Sequence, residues 1–126
     1  MWVVDASAVA EILLGTERGH AAAALLEGRT LVAPPHLAAE VTSVVRGWSL
    51  GGHITDEQAL RALREFDELG IDSVEMNALL PDAWALRHNL TAYDALYVVL
   101  ARRLGCPLLT LDTRMAAAAP DCTALP

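Results

Sequence analysis

The stretch Leu90-Thr91-Ala92-Tyr93-Asp94-Ala95-Leu96-Tyr97-Val98-Val99-Leu100-Ala101 leaves this chain few ways to fold. Wound as a helix it is apolar nearly all the way round, so other elements must cover it on most sides. Asp94 is its only acid, about one turn from the expected start. A carboxylate in such a helix is costly unless it is capped, paired or bound to a cation. One reading makes Thr91 the N-cap, with Asp94 three residues on as a variant capping box. The other groups Asp94 with Asp5, Glu40 and Asp112, acids that also stand where apolar elements end or turn. On that reading the rest of the chain is scaffolding that brings four carboxylates together.

The flanking segments alternate in type. Met1 to Val4 reads as a short apolar strand of the kind covered on both faces, and it ends at Asp5. Ala6 to Leu14 reads as a helix stopped by Gly15, and a second helix runs from about Thr16 to Glu27, ended by Gly28. Thr30 to Ala33 is a second strand. Pro34-Pro35 opens a helix whose apolar stripe is Leu37, Val41, Val44, Val45 and Trp48. Glu40 lies at the margin of that stripe, about 40° outside Val44, where an acid is either solvated or faces a cleft. Thr55 to Gln58 begins another helix, with Leu60, Leu63, Phe66 and Leu69 as its buried face. Ile71 to Glu75 alternates with acids and reads as a strand nearer an edge. Asn77 to His88 reads as one helix, with Pro81 in its first turn if the helix starts near Leu79. After the Asp94 helix, which ends at Gly105, Pro107 to Leu111 is the fourth strand and stops at Asp112. Thr113 to Ala119 is a short helix, and Cys122 to Leu125 a small last edge strand. Strands and helices in alternation mean an α/β fold with a parallel sheet.

At 126 residues and 54% apolar content, one domain spanning 1–126 is expected, with a core that needs neither disulfides nor a structural metal. No apolar run approaches the roughly 20 residues that span a bilayer, and no secretory signal is expected. Cys106 and Cys122 lack metal or disulfide spacing, which suits free thiols and a cytoplasmic location. A net charge of −7 argues against a protein that coats nucleic acid through a basic face. It leaves room for a nucleic-acid enzyme whose acids surround a metal, because bound divalent ions reverse the local sign. All nine basic residues are Arg. Without Lys there is no P-loop and no Schiff-base chemistry.

In an open α/β sheet, sites form beyond the carboxyl ends of strands, where strand order reverses. If the strands ending at Asp5 and Asp112 are neighbours there, the two carboxylates face one crevice. Each Asp alone could equally be the N-cap of the helix that follows it. Four carboxylates in one crevice repel, so some are protonated or a cation sits among them. Oxygen-only ligands suit Mg²⁺ or Mn²⁺, ions that polarise phosphoryl oxygens and offset the charge of an approaching phosphate. The histidines His20, His36, His53 and His88 are scattered and read as surface or packing residues, with no zinc spacing among them. Ser7 could bond a metal-held water or cap the first helix. Arg18, Arg46 and Arg114 flank the crevice-forming elements, and Arg114, beside Asp112, is the first candidate for a substrate phosphate. Most of the six aromatic residues read as core.

Val3-Val4-Asp5-Ala6-Ser7-Ala8, Ala38-Ala39-Glu40-Val41, Tyr93-Asp94-Ala95-Leu96-Tyr97 and Leu109-Thr110-Leu111-Asp112-Thr113-Arg114 together resemble the PIN-domain ribonucleases, in order and spacing. The whole chain is similar to the single-domain VapC toxins of bacterial toxin–antitoxin pairs. The resemblance implies a three-layer fold, with a parallel sheet of about five strands flanked by helices. It implies that Asp5 and Asp94 are most directly tied to Mg²⁺ or Mn²⁺, that Glu40 and Asp112 complete the site, and that a water attacks an RNA phosphodiester. It further implies a VapB-type antitoxin partner and a homodimer. Met115 to Ala119 offers no additional acid, a departure that favours one well-held ion over two.

Two other classes compete with this reading. A phosphotransfer protein with Asp5 as an aspartyl-phosphate nucleophile would need a Lys near the phosphoryl group, and none exists. A non-catalytic PIN-like binding module would be expected to have lost acids, and all four are present.

Overall fold

The computed structural model describes all of residues 1–126. Trp2–Val4 forms β1, and β-branched Val3 and Val4 are wholly buried at its centre. β2 (Leu31–Ala33), β3 (Asp72–Ser73), β4 (Leu108–Leu109) and β5 (Thr123–Ala124) complete one sheet in the order β3-β2-β1-β4-β5. Every pairing is parallel, so each connection must be a crossover. The expected five strands are all present, and β3 and β5 are the edges.

Seven α-helices supply the crossovers and the cover: α1 (Ala6–Leu14), α2 (Glu17–Leu26), α3 (Leu37–Leu50), α4 (Asp56–Phe66), α5 (Leu80–Trp84), α6 (Ala92–Leu104) and α7 (Thr113–Ala118). α1 to α4 pack on one another, whereas α6 packs on β1 and β4 with α5 beside it. The strand order reverses after β3, so right-handed crossovers put these two groups on opposite faces of the sheet. The result is the three-layer α/β architecture expected from the alternation. α6 is covered as its composition demands: Ala95, Tyr97, Val98, Val99, Leu100 and Ala101 are all buried.

Three local expectations are corrected. Asn77 to His88 is not one helix but a 3₁₀ turn over Asn77–Leu79, then α5, then further turns. Pro81 in the first turn of α5 lacks the N–H that would tie a longer helix together. Beyond Trp84, its carbonyl accepts from the Arg87 backbone N–H (3.1 Å) and from Arg87 Nη1 (3.1 Å), so an α-helical partner further along is displaced. Leu60 is 51% exposed, because the inner face of α4 is centred on Ala62, about 200° away round the helix. Trp84 and Tyr93 are likewise exposed rather than core.

Candidate active site

β1 and β4 are hydrogen-bonded neighbours, with Val4 opposite Leu109. From β1 the chain proceeds through β2 to β3 on one side, and from β4 to β5 on the other, so the order reverses at this pair. Asp5 and Asp112 follow these two strands and therefore stand at the mouth of the switch-point crevice. The two readings of each Asp turn out to be compatible. Asp5 Oδ1 accepts the Ala8 N–H (3.0 Å) and caps α1; Asp112 Oδ1 accepts the Arg114 and Met115 N–H groups (2.9 and 3.4 Å) and caps α7. Capping fixes each carboxylate against a helix end, and that is also what aims it into the crevice.

A pocket of about 260 Å³ is lined by Asp5, Glu40, Asp94 and Asp112 together with Ser7, Ser43 and Tyr97. All four predicted carboxylates thus meet in one place, delivered by β1, α3, α6 and β4. They line its walls rather than close on a point: no three acidic, His or Cys side chains form a ready ligand cage. The polar side chains that line the pocket offer only oxygen atoms, the ligand chemistry that a hard cation such as Mg²⁺ takes.

Asp5 is the most enclosed of the four, at 3% exposure. Its Oδ1 also accepts the Ser7 hydroxyl (2.7 Å), and its Oδ2 accepts the Thr110 hydroxyl. Burial pushes its pKa above the ordinary carboxylate value; the Ser7, Thr110 and Ala8 donors pull it back in part, and the charge of Asp112 adds to the rise. The structure gives Ser7 a role of its own. Its proton goes to Asp5 and its oxygen accepts the Leu111 N–H (2.8 Å), while the cap of α1 is Asp5. Thr110, wholly buried, accepts the Asp112 N–H (3.0 Å). Arg18 donates to the Leu111 carbonyl (3.0 Å). These bonds pin the strand end that carries Asp112 onto the strand end that carries Asp5.

Asp94 sits in the first turn of α6, where Thr91 Oγ1 accepts its backbone N–H (3.2 Å). The Thr91 cap is therefore real, without the return bond of a full capping box. Burial again raises the carboxyl pKa, helped by Asp112 and opposed by Thr91, Arg114 and His36. Glu40, in the first turn of α3, is half-buried, as its place at the stripe margin suggested. Its Oε1 accepts the Tyr97 hydroxyl (2.7 Å) and lies 3.4 Å from His36 Nε2. Tyr97 is 1% exposed, and burial together with the bond to Glu40 lifts its pKa far above the ordinary phenol value, so it remains a donor. Arg114 does not line the pocket: its side chain is 94% exposed, with Nε 3.9 Å from Asp112 Oδ1.

Tyr97, His36 and Thr110 belong to the site but were read from sequence as core, packing or strand. Two of them carried a signal. Tyr97 lies three residues after Asp94, and His36 four before Glu40, spacings that share a helix face. Thr110, a hydroxyl in a strand end between leucines, carried none that distinguishes it from an ordinary β-former.

A family model described as the PIN domain matches residues 2–120. Among curated relatives, the ribonucleases VapC1 and VapC12 of Mycobacterium tuberculosis are 45% and 37% identical, each over 92% of this chain and covering 89% and 90% of their own lengths. Ribonuclease VapC3 of the same organism is 38% identical over 98% of this chain and 90% of its own. Two solved structures share the fold. The PAE2754 protein of Pyrobaculum aerophilum superposes with a TM-score of 0.71 at 21% identity, over 97% of this chain and 81% of its own. Mycobacterium tuberculosis VapC20, a toxin that cleaves the sarcin-ricin loop, superposes with a TM-score of 0.68 at 20% identity, over 94% and 95%.

Proposed function

Because the chain belongs to the PIN-domain family and has VapC ribonucleases among its relatives, we propose that it is a divalent-metal-dependent endoribonuclease, the toxin of a VapBC-type pair. The observation that carries this reading is the convergence of Asp5, Glu40, Asp94 and Asp112 on one pocket from four separate elements. Those four residues would hold Mg²⁺ or Mn²⁺. When bound, such an ion polarises the phosphodiester and makes water acidic enough to attack at neutral pH. The chain's own residues do the positioning. Ser7, Thr110 and the Ala8 N–H hold the Asp5 carboxylate in one orientation, and Thr110 also fixes the backbone at Asp112. Tyr97 occupies one oxygen of Glu40, leaving the other to accept a proton from a water in the pocket. Arg114, exposed beside Asp112, is the residue we assign to a substrate phosphate. A VapB-type antitoxin and a second copy of the chain are the partners this assignment brings with it. No helix is long and apolar enough to cross a membrane.

The decisive experiment incubates purified protein, stripped of any antitoxin, with RNA in Mg²⁺, Mn²⁺ or chelator. Cleavage is expected only with the metals, and Asp5→Ala or Asp94→Ala should abolish it while circular dichroism stays native. Equal cleavage by the double variant would assign the activity to a contaminant.

A further inference from the structure

An enzyme with this pocket faces a problem of affinity. Four carboxylates line the crevice and the chain carries a net charge of −7, whereas RNA is a polyanion. Arg114 stands at the rim, and Arg18 is already bonded to the Leu111 carbonyl and lies 3.6 Å from Glu11. The ion that the proposed function sets among these acids would offset the charge at the scissile phosphate, but neither Arg grips the rest of the backbone, and a neutral part of the nucleotide is a further handle.

Such a handle stands beside the acids. Tyr93 and Tyr97 lie one turn apart on α6, and the His36 ring sits against both, with centroids 5.4 Å from Tyr93 and 4.9 Å from Tyr97. The three rings make a ladder from the core to the surface. At the inner end Tyr97 is buried and bonds Glu40; at the outer end Tyr93 is 60% exposed and precedes Asp94 in the chain. His36 Nε2 lies 3.2 Å from the Tyr93 carbonyl and 3.4 Å from Glu40 Oε1, so one ring nitrogen ties the brace to both α6 and Glu40. One imidazole thus separates the open Tyr93 ring from a carboxylate of the site. The other strongly exposed aromatic, Trp84, is already covered by the Arg87 guanidinium at 4.8 Å and lines a groove without acids.

We propose that Tyr93, braced by His36, is the stacking platform for one unpaired nucleobase beside the scissile phosphate, an assignment that rests on reading the pocket as a ribonuclease site. Bases in single strands stack on aromatic side chains whatever their identity, and stacking adds binding that does not depend on attracting phosphate. The platform positions substrate; it takes no part in bond-making.

The test pairs Tyr93→Ala with a short single-stranded RNA whose bases are replaced singly by abasic residues around a mapped cleavage site. For the wild type, one abasic position should raise KM on the order of ten-fold with little change in kcat. Tyr93→Ala should raise KM similarly on intact RNA, and in that variant the same abasic position should cost nothing more. Tyr93→Phe should recover most of the loss, and Trp84→Ala, an aromatic outside the site, should leave KM as it was. An abasic penalty that persists in full in Tyr93→Ala overturns the proposal, as does an unchanged KM for that variant. Anisotropy of fluorescein-labelled oligo-uridine, measured with Mg²⁺, separates the two readings. RNA binding weakened by Tyr93→Ala without any wild-type cleavage keeps the platform and refutes the nuclease; unaltered binding without cleavage refutes both.

Discussion

Asp5 holds a charge that its surroundings oppose. It is buried, its pKa is raised chiefly by that burial, and the charge of Asp112 acts in the same sense. A carboxyl whose pKa rises on folding binds its proton more tightly in the native state. Its contribution to stability is then fully present below the ordinary Asp range and is lost as pH climbs through the raised value. In chelator, Asp5→Asn should therefore be at least as stable as wild type at pH 8, and the advantage should vanish toward pH 4; urea denaturation at both pH values reads this. Wild type clearly more stable than the variant at pH 8 without metal would mean that the charge is welcome. Tyr97→Phe asks a different question, since it keeps the buried ring and deletes only the donor to Glu40. Stability should fall by about 1 kcal/mol, the usual worth of one hydrogen bond, while kcat for RNA cleavage falls by a larger factor. A kcat unchanged in Tyr97→Phe would show that Glu40 needs no such restraint. The acids of this site could be read from sequence because a charge at the end of an apolar run is conspicuous. The hydroxyls that hold them are less legible: Ser7 stands out two residues from Asp5 and Tyr97 shares a helix face with Asp94, but their partners come near, and Thr110 gains its whole role, only on folding.

Among the elements, those bounded by strong local signals were legible and those decided by competition were not. Thr91 caps its helix as its position suggested, the start read at Thr55 is a full capping box with Gln58, and Thr16 also proves to be a cap. The run from Asn77 to His88 has helical periodicity and a first-turn place for Pro81, but Pro81 also cuts the helix off from Asn77–Leu79, and no periodicity registers an Arg87 side chain that takes a helical carbonyl. Glycine shows the same limit. Gly19 lies inside α2 and reads as a mildly poor helix residue, yet a Cβ there would stand 2.0 Å from the Glu11 carbonyl oxygen of α1. The close approach of α1 and α2 depends on its lack of a side chain. Gly19→Ala would gain helix propensity and still cost on the order of 3 kcal/mol from overpacking. A lower melting temperature checks this, and a raised one would mean that α2 slides at little cost. The site should feel the change too, because α1 begins at Asp5 and Arg18 on α2 holds Leu111.

At the scale of the whole molecule, the fold brings four acidic side chains from distant stretches to one pocket. Sequence alternation established a parallel α/β sheet, but whether β1 and β4 are neighbours was a condition and not a deduction, because strand order is set by long-range packing. Once that pairing is given, Asp5 and Asp112 must share a crevice, and helices from opposite faces bring Glu40 and Asp94 to it. Asp5 and Asp94 are desolvated there and the charge of Asp112 weighs on both, so a divalent ion that binds the native state alone should stabilise the fold. The stabilisation follows mass action: at a concentration about 100 times Kd it is about 2.7 kcal/mol. For a domain of this size that is a rise in melting temperature on the order of 10 °C. Mn²⁺ added to chelator-stripped protein should produce such a rise, saturating with concentration, and Asp5→Ala or Asp94→Ala should lose most of it. Monovalent salt at matched ionic strength should give only a small increase, since screening weakens repulsion between half-buried carboxylates much less than direct binding does. A shift that is the same in wild type and both variants would place the ion elsewhere on an acidic surface, and the four carboxylates would then lose their common purpose.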